Sequence, residues 1–525
     1  MEAWLRLASD KKVTGGLCRE IYSKKETKKV KKAIRAFSLI LAAVFVIIAV
    51  ASCTTSDPSH TGENSGADVT SGEPKVEKYG NVPLSDKSKF EGKEFLIATY
   101  LDGNVSNGWA CYFDVDEPEE GDKMQEGSHR RNLEIEETFG VKITCDELWH
   151  WWGGKEGYFY LTGLMEAGDT IYNLFFLESY IPHSDLVIDG LLYDMGQLPY
   201  IDLSADYYNH SYNETYCLGG KYYILASDLT YPCQSAQRVY VNIDMLKDLQ
   251  YDENYAYDLV DNGGWTYDVL LQMINGQSED LNQDGKMDVN DYYGFAGTPY
   301  SATGFFHGSG LKGSYISENG WEFDYDSDRA IRIMDAIYGF VNKPEVYVKE
   351  WTNEIFNSGR ALFTTSGSEL REIKNWDLSI HIGVLPYPKF DDTQDRYYCY
   401  CAGGNFCVPS DIKDTEFTGA MIEAMSCGSQ KYLVTAFYDN FIQQRVLQDD
   451  RSRENWRRMR GEWGLFELAG HIAPNEEVRY YNPVTKVVAE MSTGGANNYM
   501  SRWAEQRDVM QLVCNQFYKK FMSKI

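Results

Sequence analysis

The alternation of hydrophobic and polar positions changes character twice along the chain. Ala36 to Val50 is an apolar run of 15 residues in which Ser38 is the single polar position. Residues 54–88 are rich in Ser, Thr, Gly, Asp and Glu, a composition that predicts a flexible tether. From Phe90 onward the pattern is that of a folded body. The stretch Lys93-Glu94-Phe95-Leu96-Ile97-Ala98-Thr99 predicts a buried strand, Arg130–Phe139 a helix, and Val141-Lys142-Ile143-Thr144 a second strand. Ile171-Tyr172-Asn173-Leu174-Phe175-Phe176-Leu177 predicts a third strand. Such alternation argues for an α/β body with a mainly parallel sheet. Helical spacing dominates 327–342, 414–428 and 430–460. No internal repeat is present.

Composition sharpens this picture. A chain of 525 residues suits two or three domains. The net charge is −28, and residues 1–52 hold 11 Lys/Arg against 4 Asp/Glu, which leaves 39 against 74 for the rest. So acidic a body repels nucleic-acid phosphates and polyanions; neutral ligands or cations fit it better. Lys24, Lys25, Lys28, Lys29, Lys31, Lys32 and Arg35 precede the apolar run. That run is shorter than the about 20 residues that span a bilayer and has the form of a signal h-region. It ends in Val50-Ala51-Ser52-Cys53, which resembles a bacterial lipobox. The expectation is a lipoprotein signal over 1–52, lipid on Cys53, a tether over 53–89, and a body anchored at the extracytoplasmic face of the cell membrane. Of 11 cysteines, nine remain once Cys18 and Cys53 are set apart, and an odd number cannot all pair. Cys217 with Cys233, and the group Cys399, Cys401 and Cys407, are the expected places for bridges.

One local motif is sharp. Residues 280–291 match an EF-hand-type calcium loop position by position: Asp280, Asn282 and Asp284 at 1, 3 and 5, Gly285 at the turn, Lys286 offering its carbonyl, Asp288 at 9 and Asp291 at 12. Met287 supplies the apolar position 8. Asp291 stands where Glu is usual. A structural Ca²⁺ is the expectation; an Asx-rich turn without metal is the alternative.

Several further segments, taken in order, carry a resemblance. Gly264-Trp265-Thr266-Tyr267-Asp268, the Asp280–Asp291 loop and Tyr292-Tyr293-Gly294-Phe295 are similar to a run found in the extracellular solute-binding lipoproteins of sugar ABC importers. His129-Arg130-Arg131-Asn132 ahead of a helix, Asn242-Ile243-Asp244-Met245-Leu246, the stretch from Phe356 to Phe363, and Gly383-Val384-Leu385-Pro386-Tyr387-Pro388 fall in that family's order. The resemblance spans roughly residues 90–460. It implies an α/β, two-lobed periplasmic-binding-protein-like type II fold with crossing hinge strands. Lobe one would comprise 90–230 with 386–413, and lobe two 231–385 with 414–525. It also implies a carbohydrate ligand, a neutral oligosaccharide, held between lobes that close around it, and delivery to the permease subunits of an ABC transporter.

Sugars stack their C–H faces on flat rings and need hydrogen-bonding partners, and ligands sit beyond the carboxyl ends of strands in open sheets. Asp102, Trp109 and Tyr112 after the first strand, Glu178 after the third, and Ser368 and Glu369 after Ala361–Thr364 are the expected ligand residues, with Tyr231 and Phe305 beside them. Trp109 is the preferred stacking ring, because it lies in a polar loop. Trp265 reads as a packing residue. No G-x-S-x-G, H-E-x-x-H or G-x-x-x-x-G-K-[ST] occurs, so a binding protein is expected rather than an enzyme. A glycoside-active enzyme using paired carboxylates and a surface polysaccharide-binding adhesin are the rival readings.

Overall fold

A computed structural model describes residues 78–100, 112–149, 154–168, 170–177, 183–230, 236–366, 380–401, 404–437, 449–462, 464–465, 468 and 483–524. In chain order the principal strands are β1 (Glu94–Tyr100), β2 (Lys142–Trp149), β3 (Leu174–Leu177), β4 (Arg238–Asn242), β5 (Tyr292–Ala296), β6 (Val346–Tyr347), β7 (Ala361–Ser366), β8 (Ile382–Leu385) and β9 (Asn405–Cys407). The principal helices are α1 (Lys123–Phe139), α2 (Tyr267–Ile274), α3 (Thr303–Gly308), α4 (Asp328–Val341), α5 (Thr415–Ser429), α6 (Asp450–Arg460), α7 (Pro483–Ser492) and α8 (Tyr499–Met522).

Local chemistry fixes these elements. β1 is central in its sheet, so Phe95, Ile97, Ala98, Thr99 and Tyr100 are buried in a near-continuous run. α1 begins at Asp122, whose carboxylate accepts the N–H groups of Met124 and Gln125, and ends at Gly140 with φ 69°. Its buried stripe, Met124, Ser128, Arg131, Ile135 and Phe139, keeps the helical period. α4 starts at Ser327, which accepts from Ala330 N, and buries Ala330, Ile333, Met334, Ile337, Phe340 and Val341.

Two sheets result. Sheet one runs β9-β3-β1-β2, with β1, β2 and β3 parallel and β9 antiparallel at its edge. Sheet two runs β6-β5-β7-β4-β8, with the short strand Ser278–Glu279 beside β5. There β5, β6 and β7 are parallel, while β4 lies antiparallel to both β7 and β8. The chain builds sheet one, crosses to sheet two, and returns to sheet one at β9. Gln237 N donates to Tyr400 O at 2.8 Å, which ties the outward crossing to the return.

Several expectations are corrected. Folded structure is already present ahead of Phe90: Lys78–Tyr79 pairs with Val82–Pro83, and Asn81 N donates to the buried Glu423. Val82 is fully buried, so the end of the expected tether is part of the body. His129-Arg130-Arg131-Asn132 lies inside α1 rather than ahead of it, because the cap is Asp122. α5, expected with lobe two, packs on α1 instead: Lys93 pairs with Asp414 at 2.7 Å, and Asn173 Nδ2 donates to Thr418 at 3.0 Å. Cys217, Cys399 and Cys407 are free thiols, the last two buried, so the expected group of Cys399, Cys401 and Cys407 holds no bridge within itself; Cys233 lies outside the described residues. The stretch 430–460 is helical at Gln430–Val434 and in α6. Among the described residues no helix is long and apolar enough to cross a membrane.

Burial also sets a pH response. His307, on α3, is fully buried and stacks on Tyr400 with ring centroids 4.3 Å apart. Desolvation pushes its imidazole down from 6.5 to about 4. Between these values the unfolded chain binds a proton that the folded chain refuses. Stability contributed by this group is therefore level above about pH 6.5 and falls as pH drops towards 4, by on the order of 3 kcal/mol. Urea titrations at pH 7, 5 and 4 should show a smaller acid loss in His307→Phe than in the native chain. Equal losses would contradict this assignment.

Candidate functional site

The sheet topology locates the site before any side chain does. In sheet one the carboxyl ends of β1, β2 and β3 share one edge, and Asn405, where the chain returns, stands opposite Leu177 at that edge. In sheet two the carboxyl ends of β5, β6 and β7 share an edge, and Arg238, where the chain enters, stands opposite Ser366 there. The crossing segments therefore join the two carboxyl edges. Among the described residues, the loops at 297–302 and 348–353, which follow β5 and β6, leave sheet two at its carboxyl edge, the end at which open sheets hold ligands.

On the lobe-two edge, β5 and β6 are in register, Ala296 opposite Tyr347. The loop after each carries one aromatic residue held in solvent. Tyr300 is 42% exposed and Trp351 67%, and their rings meet edge to face with centroids 4.7 Å apart. An edge-to-face pair covers only one of the four ring faces, so flat apolar surface remains open. Keeping an indole in water forgoes the burial gained by the other large rings of this protein, which makes the pair the candidate contact surface of this edge. Ser301 and the loop bearing Tyr300 are fixed from below: Tyr387 OH donates to Ser301 O at 2.9 Å, and Ser492 Oγ to Pro299 O at 3.1 Å. Tyr347 OH donates to Glu350 Oε1 at 2.7 Å, one residue before Trp351.

Phe305, expected at the ligand, lies just behind this edge. Its ring packs against Tyr267, Phe295, Phe340 and Tyr387 at 4.9–6.2 Å and is 5% exposed. It supports the edge as a core ring. Trp265 is fully buried, with Nε1 donating to Pro386 O at 2.9 Å, as a packing residue should be.

On the lobe-one edge, Tyr112 is the expected ligand residue that can be placed. It is 7% exposed and has φ 52°, a left-handed conformation unusual for a bulky residue. Its carbonyl accepts from Ser128 Oγ and from Arg131 Nη2, the latter at 2.9 Å. Arg131 Nη2 and Asn132 Nδ2 also donate to Phe113 O, at 2.6 and 2.8 Å. Three side chains of α1 thus hold the chain where it leaves the expected ligand loop. Asp102, Trp109, Glu178, Tyr231, Ser368 and Glu369 lie outside the described residues, as does Cys53. Where the return strand begins, the buried His183 Nε2–H donates to Asn405 Oδ1 at 3.0 Å, and Asn405 Nδ2 has no hydrogen-bond partner. Where the outward strand begins, the buried guanidinium of Arg238 lies over the Trp456 ring, 3.2 Å from its centroid, and its Nε donates to Ala236 O at 2.7 Å.

The 280–291 loop lies before β5, at the opposite end of that strand from Tyr300. Gly285 has φ 80°, the sharp turn expected. Asp280 accepts from Gly285 N at 2.8 Å, Asn282 from Asp284 N at 2.9 Å, and Asp284 from Lys286 N at 2.9 Å. The fully buried Asp291 closes the loop by accepting from Leu281 N and Asp288 N. Met287 is 40% exposed. Among the described residues no three His, Cys, Asp or Glu side chains converge as a metal-binding group.

Neither a protein-family model nor a curated protein matches the sequence. The fold does have counterparts. The chain is similar to a cyclo/maltodextrin-binding protein complexed with maltotetraose, with TM-score 0.53 and 14% identity over 80% of this chain and 96% of that one. It is similar to an ABC substrate-binding protein from Listeria monocytogenes in complex with cycloalternan, with TM-score 0.51 and 12% identity over 80% and 98%. It is also similar to UspC of M. tuberculosis, with TM-score 0.51 and 12% identity over 81% and 100%. The fold is thus the two-lobed α/β fold of the periplasmic-binding-protein type, as the sequence predicted.

Proposed function

We propose that this chain is the extracytoplasmic substrate-binding component of an ABC importer. It captures a carbohydrate, a neutral oligosaccharide, between its lobes and delivers it to a permease. The observation that carries this reading is the solvent-held Tyr300–Trp351 pair at the carboxyl edge of sheet two, on the side from which the chain enters from lobe one. Ring faces in that position suit the C–H face of a sugar. Two proteins of the same fold carry maltotetraose and cycloalternan, and the acidity of the body agrees with an uncharged ligand. Calorimetric titration with maltotetraose, cycloalternan and a panel of other neutral oligosaccharides tests the reading. Saturable binding of at least one, weakened by Trp351→Ala, is expected; product release from any of them would favour an enzyme instead.

The apolar run and Val50-Ala51-Ser52-Cys53 support lipid anchoring through Cys53. Cys53→Ser should leave the chain unprocessed or free of the membrane fraction; unchanged processing and retention would refute the anchor.

For 280–291 the reading is a structural Ca²⁺. The donor set of Asp280, Asn282, Asp284, Asp288, Asp291 and the Lys286 carbonyl is all hard oxygen, the chemistry that Ca²⁺ takes at about 2.3–2.6 Å. Its carboxylates would turn from the loop N–H groups to the ion. Calcium should raise the melting temperature of metal-free protein, and Asp284→Ala should remove that rise. No calcium heat and no stabilisation would eliminate the site.

A further inference from the structure

We infer that the last turn of α8 is a releasable interlobe latch, which holds the two lobes in the orientation described. The inference concerns lobe orientation and holds whatever the ligand is. α8 is 24 residues long, and its packing is unequal along its length. Most of it belongs to lobe two. Tyr499 OH donates to Tyr325 O at 2.7 Å, and Trp503 packs on Phe323 and Tyr325 at 5.6 and 4.9 Å. Further along, Gln511 Nε2 donates to Trp321 O at 2.6 Å, Trp321 N to Asn515 Oδ1 at 3.3 Å, and Phe517 meets the Trp321 ring at 5.8 Å.

The end of the helix reaches lobe one. Phe521, 2% exposed, meets Tyr223 edge to face with centroids 5.9 Å apart. Lys524 Nζ donates to Ile188 O, at the end of the helix His183–Ile188, against which α8 packs. Both partners belong to lobe one: His183 of that helix is bonded to Asn405 of β9, and Leu225, two residues after Tyr223, bridges Phe406 of β9. The lobe-two end is therefore anchored by three hydrogen bonds and several ring contacts. The lobe-one end rests on the Phe521–Tyr223 ring pair, the packing of the last turn on His183–Ile188, and the exposed Lys524. When the lobes turn about their crossing segments, a rigid helix cannot follow both. The weaker end yields, and its contacts are the ones a change of lobe orientation must break.

The test uses small-angle scattering and backbone hydrogen exchange on the ligand-free full chain and two variants, Phe521→Ala and Tyr223→Ala, which cut the latch from opposite sides. Both should shift the distance distribution in the same direction. Both should also speed exchange in 183–188, and the double variant should add nothing to either single one. Val509→Ala, on the exposed face of α8, should leave both readouts unchanged. Native scattering and exchange in both variants would overturn the latch. So would an effect confined to Phe521→Ala, which would mark a packing defect of α8 on lobe two. Should Phe521→Ala fail to fold, Tyr223→Ala, a half-buried ring, with Lys524→Ser as its partner, decides the same question.

Discussion

Arg131→Ala should lower the unfolding free energy by on the order of 3–5 kcal/mol, the upper range of single substitutions. The guanidinium is fully buried and donates to Tyr112 O, Phe113 O, Ser429 Oγ, Asn132 Oδ1 and Ser128 Oγ. Truncation leaves buried acceptors short of a donor, at about 1–3 kcal/mol for each one left unsatisfied, and opens a void the size of a long side chain between α1 and α5. It also frees Tyr112 from the contacts that hold its φ of 52°, a conformation costing about 1–3 kcal/mol in its own right. Arg131→Lys should fall in between, since an ammonium cannot reach acceptors on α5 and on the Tyr112–Phe113 segment together. Urea unfolding measures the difference; a loss below about 1 kcal/mol in Arg131→Ala would show that the network is not a structural clamp.

Trp351→Ala is expected to weaken oligosaccharide binding at least tenfold while leaving stability nearly untouched. A stacked ring contributes about 0.5–1.5 kcal/mol beyond its area, and the buried apolar surface adds more at about 25 cal/mol per Å². Together these exceed the 1.4 kcal/mol that makes a factor of ten. Because Trp351 is 67% exposed, its loss should change folding by no more than about 0.5 kcal/mol. Phe305→Ala should behave in the opposite way. Its ring closes a cluster of four other rings, so stability should drop by about 3–5 kcal/mol. Calorimetry and thermal melts on the two variants separate a contact surface from a core.

The long elements were legible because their patterns are strong. β1, α4 and α5 fall within a residue or two of their expected bounds, since each has a buried run or a stripe with a clear period. The order of family-like segments led to the two-lobed fold. What escaped had physical reasons. β6 is two residues long, too short to show a period of two, so Trp351 was not recognised as following a strand. With β6 in place, Trp351 has the features expected of Trp109: it is an aromatic residue in a polar loop after a strand. Phe305 sits in the core because Thr303–Gly308, too short a stretch to show a helical period, is a buried helix whose Gly304 lies against Tyr387. α5 was assigned to the wrong lobe because sequence order does not report that the chain stays on sheet one for a helix beyond β9. Cys399 and Cys407 form no bridge although both are buried, because spacing along the sequence does not report which thiols face one another.

The central claim is capture of an oligosaccharide between two lobes. Small-angle scattering of the protein with and without an oligosaccharide that calorimetry shows to bind tests it most directly. The account predicts a smaller radius of gyration in the bound state, and loss of that compaction in Trp351→Ala at the same sugar concentration. Saturating binding with an unchanged scattering profile, equal in Trp351→Ala and the native chain, would contradict it.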